Sequence, residues 1–185
     1  TLFPYTTLFR SVEDYAAPVF KKNASCRAVY EYAKEHLAQY SKVLLAMRWG
    51  SQMPENSHSL AYDADFFKKF DLMLQKLSSE KQAVYLMIDN PNLSYNGLRA
   101  YILSYRIPGF SQNLAIDETV TSKGNERIKE LAEKYANVHI IDATAYIPEN
   151  FKINGLPVYS DRDHINPYGG RELAKRFSEK HTLLQ

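Results

Sequence analysis

Lys42-Val-Leu-Leu-Ala-Met47 is an apolar run of strand length, closed by Arg48-Trp49-Gly50. A fully apolar strand is buried on both faces, which is the habit of parallel sheets. Upstream of it, Ser25 is placed to cap a helix from about Cys26 to Tyr40, with Val29, Tyr30, Ala33 and Leu37 on one face. Downstream, a polar loop from Ser51 to Ser59 leads to a helix predicted over roughly Asp63 to Ser78. There Phe66, Phe67, Phe70, Met73, Leu74 and Leu77 recur at intervals of three and four. Ala83-Val-Tyr-Leu-Met-Ile88 reads as a second buried strand, stopped by Asp89-Asn90-Pro91. Residues 92–120 carry weaker signals: Leu98, Tyr101, Ile102 and Tyr105 point to a short helix, and Pro108-Gly109 to a break. Thr121 or Ser122 opens a third helix running to Ala136, and Val138-His-Ile-Ile141 is a third strand. A long loop from Asp142 to Asp163 precedes a last helix from about Pro167 to Lys180, with the proline in its first turn. Alternating strands and helices predict an α/β fold, a three-layer α/β/α arrangement around a parallel sheet.

The 185 residues predict one domain. With 45% hydrophobic and 24% charged residues, the mixture is that of a globular protein. Lys and Arg total 23 against 21 Asp and Glu. The resulting charge of +2 is too small to argue for nucleic acid or an anionic membrane surface. Apolar runs such as Val43 to Met47 are far short of the roughly 20 residues a bilayer takes. A single cysteine, Cys26, excludes an internal disulfide framework and a thiolate zinc cluster. Fourteen tyrosines fit either a well-filled core or a groove that stacks on sugars. Residues 1–11, Thr1 to Ser11, have neither helical period nor clean alternation. They resemble translated sequencing-adapter read-through, so the leader is expected to be artefactual or disordered and the domain proper to span 12–185.

In open parallel sheets, ligands bind beyond the carboxyl ends of the strands. That singles out Arg48, Trp49 and Gly50, then Asp89, Asn90 and Asn92, then Asp142. The most chemical stretch is Tyr159-Ser160-Asp161-Arg162-Asp163-His164-Ile165-Asn166-Pro167-Tyr168-Gly169-Gly170. Asp161 and His164 are three apart, a spacing that lets the carboxylate reach the imidazole Nδ1–H and leaves Nε2 as a general base. Two plainer readings stand beside it: a helix cap built on Asp163 or Asn166, and a metal pair. Ser51 is a weak alternative nucleophile, and Ser57-His58-Ser59 has no flanking strand. His36, His58, His139 and His181 have no partner at motif spacing. Cys26 opens a helix, and Asn23-Ala-Ser25 and Asn92-Leu-Ser94 match a glycosylation acceptor.

The last block resembles the Asp-x-x-His block of the SGNH, or GDSL-like, hydrolase superfamily. Within it, Tyr-Ser-Asp-Arg-Asp-His-Ile-Asn-Pro-Tyr-Gly is most similar to the SGNH domain at the C-terminus of acyltransferase family 3 membrane proteins. Val43 to Trp49, Ala83 to Pro91 and Tyr135 to Asp142 are similar to that branch's strands, in the expected order. The resemblance implies an SGNH-like fold and an extracytoplasmic acyltransferase that moves acetyl groups to hydroxyls of cell-surface polysaccharide. It implies His164 as base, Asp161 as its orienting acid, and no metal or cofactor. Arg48, Trp49 and Asn166 become candidate oxyanion or substrate-lining residues; Arg48 reads equally as a guanidinium paired to a carboxylate at the strand end, and Trp49 as a core residue. The partners it implies are an acyl donor, a carbohydrate acceptor and, in the parent, an acyltransferase membrane domain. One feature departs from the family: its nucleophile is the serine of a Gly-Asp-Ser block near the N-terminus, and neither Gly-Asp-Ser nor Asp-Ser occurs here. The chain is thus expected to be a fragment that keeps base and acid without the nucleophile. A free-standing acetyl esterase and a non-catalytic carbohydrate-binding module remain as alternatives.

Overall fold

The computed structural model describes residue 32 and residues 35–56, 64–110, 114–117 and 121–180. In chain order its elements are β1 (Lys42–Ala46), α1 (Phe66–Glu80), β2 (Ala83–Met87), β3 (Asn92–Leu93), α2 (Gly97–Arg106), β4 (Ile116–Asp117), α3 (Ser122–Ala132), β5 (Val138–Ile141), β6 (Lys152–Ile153), β7 (Leu156–Pro157) and α4 (Pro167–Ser178). They fall into two compact units interleaved in sequence. One comprises Thr1–Asp89 with Val120–Ile141, the other Asn90–Thr119 with Asp142–Gln185. The expected leader 1–11, Cys26, Ser57-His58-Ser59, His181 and most of the helix expected over 26–40 lie outside the described residues.

The first unit is the α/β layer. Its three strands pair in parallel in the order β1-β2-β5, with Val43, Val84 and Val138 in register across the sheet. Side chains alternate along a strand, so Val43, Leu45, Val84, Leu86, Val138 and Ile140 share one face. That face packs against Phe66, Phe70, Met73, Leu74 and Leu77 of α1 and Ile128, Leu131 and Ala132 of α3. Full burial of each large side chain contributes about 1.5–3 kcal/mol. Leu44, Ala46, Tyr85 and Met87, on the other face, are only half-buried. The expectation of a strand buried on both faces therefore fails for β1, because both described helices of this unit cover the same side. Asn137 donates to the Ser78 and Lys81 carbonyls (2.9 and 2.8 Å), satisfying backbone acceptors that the end of α1 leaves open.

The second unit is held by a smaller core of Leu93, Phe151, Ile153, Val158, Tyr159 and Leu173. The stretch expected to be one long loop contains the β6–β7 hairpin. Asn154 (φ 50°) and Gly155 (φ 79°) form its two-residue turn, the Asn-Gly pair that such tight hairpins favour. Strands β3 and β4 pair antiparallel. Asn166 caps α4, its Oδ1 accepting from Gly169 N (2.7 Å). Asn92 is 7% exposed, which argues against it as a glycosylation acceptor. Among the described residues no helix is long and apolar enough to cross a membrane.

Candidate functional site

The strand-end residues of the first unit are built into its core. Trp49 is fully buried, its indole N–H donates to the Met87 carbonyl (2.8 Å), and its ring packs on Phe66 and Phe70. This corrects its candidacy as a substrate-lining wall: the ring has no exposed face to offer. Gly50 N–H donates to Asp89 Oδ2 (3.1 Å), while Asn125 accepts from Asp89 N and donates to Asp89 O. Burial pushes the Asp89 carboxyl up to about 6, opposed by the Gly50 N–H, the Arg48 charge and the Trp49 N–H. Arg48 thus acts on the carboxylate at the neighbouring strand end, the structural alternative to an oxyanion role. The Ser51 hydroxyl donates to the Arg48 carbonyl (2.7 Å).

The chemistry of the second unit is concentrated in the turn before α4. An isolated bridge, Tyr159 to Ile165, closes it, and Ser160 donates through both N–H and Oγ–H to the His164 carbonyl (2.8 and 3.0 Å). Within that turn the Asp161 carboxylate is divided between two tasks. Oδ1 accepts from the backbone N–H groups of Asp163 and His164 (2.9 and 2.8 Å). Oδ2 lies 2.9 Å from His164 Nδ1. The three-residue spacing produces this directly: the carboxylate folds back over its own turn, and the imidazole follows the backbone N–H that Oδ1 holds. Nδ1 facing a carboxylate carries the proton, which leaves the Nε2 lone pair as the basic position. The imidazole side chain is 73% exposed.

A second carboxylate was missed in the sequence. Asp163 Oδ1 is 3.1 Å from the same Nδ1. Asp161, Asp163 and His164 bring ligand-type atoms within 4.8 Å of one another, so these three are also the residues that could hold a cation. In the sequence Asp163 enters only as one of two possible caps, beside Asn166, and its place next to the imidazole is set by the turn.

Residues 90–97 fasten this turn from the other side. Leu93 N–H donates to the Arg162 carbonyl (2.6 Å), Gly97 N–H to the Asp161 carbonyl (2.9 Å), and the Asn90 amide to the Asp163 carbonyl (2.9 Å). The Tyr159 hydroxyl donates to the Pro91 carbonyl (2.9 Å); burial raises its pKa to about 12, so it remains a neutral donor. Arg162 reaches Leu93 O through Nε (2.9 Å) and Asp117 through its other end (3.3 Å).

The remaining candidates have structural work. Asn166 spends its carbonyl on the α4 cap and its amide on the Pro157 carbonyl (2.8 Å). Asp142 accepts from Thr144 N–H and hydroxyl. His36 lies against the Tyr32 carbonyl, and His139 packs beside Tyr85.

The family model for the SGNH domain (fused to AT3 domains) matches residues 4–179. No curated protein matches the sequence significantly. Among solved structures, the chain is similar to the periplasmic domain of the Salmonella ser. Paratyphi A lipopolysaccharide acetyltransferase. The TM-score is 0.59 at 12% identity, over 84% of this chain. The chain spans 62% of that domain's length. At this identity the likeness establishes a shared fold.

Proposed function

The chain belongs to the SGNH domains that are fused to AT3 domains, and on that premise we propose that it carries the base half of an acyl-transfer site. The transfer moves an acetyl group to a hydroxyl of cell-surface polysaccharide outside the cytoplasm, with the AT3 membrane domain of the parent protein as partner. One observation carries the reading: Asp161 is locked by two backbone N–H groups through Oδ1 and presents Oδ2 to His164 Nδ1 at 2.9 Å. A carboxylate so placed fixes the tautomer and stabilises the imidazolium that forms when Nε2 takes a proton.

On this reading the nucleophile is the serine of a Gly-Asp-Ser block such as the family carries, a block these 185 residues do not contain. In the first half-reaction, His164 Nε2 accepts the serine Oγ proton as Oγ bonds to the acyl carbon. The tetrahedral intermediate collapses, and the donor's oxygen leaves with that proton. In the second, a sugar hydroxyl gives its proton to Nε2 and attacks the acyl-serine, and serine Oγ departs and recovers the proton. General-base catalysis of this kind contributes about 10²–10⁴-fold.

The test is acetyl transfer by the parent protein carrying Gly-Asp-Ser, assayed with p-nitrophenyl acetate with and without a saccharide acceptor. The wild type is expected to acetylate the saccharide, and His164→Ala to lose at least 10³-fold. Release of free acetate unchanged by the acceptor would make water the acceptor and the protein an esterase. Full activity in His164→Ala would overturn the assignment of the base.

A further inference from the structure

We propose that the cavity between α2 and the β6–β7 hairpin holds a saccharide ring of an uncharged glycan. The choice of a hydroxyl-rich ligand rests on the acyl-transfer reading, whereas the site rests on the cavity itself.

The cavity has a volume of about 500 Å³, inside the range of roughly 300–1,000 Å³ typical of small-molecule sites. Tyr101 and Phe110, both half-buried, supply accessible ring surface, the rings of Phe151 and Tyr159 are buried, and Ser104, Glu149 and Asn150 supply polar groups. Ring faces take the C–H side of a pyranose, and a hydroxyl, an amide and a carboxylate together offer both donors and acceptors to its hydroxyls. Other ligand classes fit less well. The walls contain one cation, Lys152, and one anion, Glu149, so the charge balance gives no preference for phosphate or carboxylate. Ser104, Glu149 and Asn150 are exposed, so a lipid chain would lie against polar groups.

Phe151, one wall, adopts φ 55°. A left-handed backbone at a bulky aromatic residue is strained and persists only where its surroundings enforce it. They do so here. Phe151 N–H donates to Pro148 O (2.8 Å), its carbonyl accepts from Val158 N–H (2.9 Å), and its ring meets Tyr159 edge-on at 6.2 Å.

The cavity shares a lining residue with the support of the Asp161–His164 turn. Gly97 lines it while donating to the Asp161 carbonyl, and Tyr159 lines it one residue before Ser160. A Cβ at Gly97 would come within 3.1 Å of Leu93 and 3.2 Å of Tyr159, so the close seat of α2 on the turn depends on glycine.

The experiment is saturation-transfer NMR on the 185-residue chain with methyl β-D-glucoside, methyl β-D-galactoside and methyl α-L-rhamnoside. At least one is expected to receive saturation at its ring protons. Tyr101→Ala and Ser104→Trp should weaken binding at least tenfold without altering far-UV circular dichroism or Tm. Ser104 is an exposed helix position, so Ser104→Arg serves as a second blocking variant if the tryptophan disturbs folding. Absence of transfer to all three glycosides, or equal binding by the blocked variants, overturns the proposal. The two readings fail separately. Loss of the cavity claim leaves the His164 dependence of acyl transfer intact, and intact sugar binding with a fully active His164→Ala parent would sink only the base.

Discussion

Leu93 and Arg162 are joined twice, Leu93 N–H donating to the Arg162 carbonyl at 2.6 Å and the Arg162 Nε–H to the Leu93 carbonyl at 2.9 Å. The residue between acid and base in Asp-x-x-His is therefore a clamp. Its backbone and side chain grip the same residue and hold the turn by both edges. Arg162→Ala removes the side-chain half. Global stability is expected to fall by about 1–2 kcal/mol, since the guanidinium is half-exposed. The larger effect should be local, with amide hydrogen exchange at residues 160–164 accelerated more than in α1. Exchange unchanged in that turn would show that the backbone bonds suffice.

Asp161→Asn separates the two tasks of the carboxylate. The amide oxygen keeps the Asp163 and His164 N–H bonds, so the turn should remain folded. The amide NH₂ then faces Nδ1, which favours the Nε2–H tautomer and removes the base. In the complete enzyme the analogous change in a catalytic triad costs about 10⁴-fold. In this chain, ¹⁵N chemical shifts of the imidazole should move from the Nδ1–H to the Nε2–H pattern. An unchanged tautomer would point to Asp163, 3.1 Å from Nδ1, as the true orienting group.

The legibility of the sequence varied with the length of each signal. Val138–Ile141 is the strand its apolar run predicts, and β1 and β2 differ from expectation by one terminal residue. The stripe from Phe66 to Leu77 located α1, because five buried side chains at helical spacing leave little room for another solution. Two-residue strands such as β3 and β6 show no alternation to read. The hairpin nevertheless had a local signal in Asn154-Gly155, which the long-loop reading passed over. At the site, Asp161 and His164 were visible through a three-residue spacing. The supports at Asn90, Leu93 and Gly97 come from a segment about 70 residues away, and only folding makes them neighbours. Trp49 stood as either a substrate wall or core, because aromatic side chains at strand ends look alike in sequence whether they face solvent or core, and the structure buries it.

Asp89 makes the first unit pH-sensitive. Its folded pKa is raised from 3.8 to about 6 by burial, so between these values the folded state binds the proton more tightly than the unfolded chain. This contribution to stability is full below about pH 4, falls as pH rises, and is gone above about pH 6, a loss of roughly 3 kcal/mol. Asp89→Asn keeps an acceptor for Gly50 N–H and should flatten that window in denaturant titrations. A variant with the same slope between pH 4 and 6 would assign the titration elsewhere.

Gly124 tests how tightly α3 sits on the strand-end turn. Glycine to alanine inside an exposed helix normally gains about 1 kcal/mol. Here a Cβ would come within 2.5 Å of Gly50 N and 2.7 Å of Trp49 C, and backbone atoms cannot swing aside. Gly124→Ala is therefore expected to destabilise by roughly 1–3 kcal/mol net, with the tryptophan fluorescence of Trp49 shifted to the red. A gain in Tm would mean that α3 can slide away at little cost.

The most direct measurement compares p-nitrophenyl acetate turnover by this chain, by its His164→Ala form, and by both proteins extended with a Gly-Asp-Ser segment of the kind the proposed site requires. Base and acid without a nucleophile leave only binding, because members of such a site act as a unit. The chain and its His164→Ala form should turn over equally slowly, and the extension should raise the rate at least 10³-fold only where His164 is present. Robust turnover by the unextended chain, abolished by Ser51→Ala, or an extended His164→Ala protein as active as the wild type, would contradict the account.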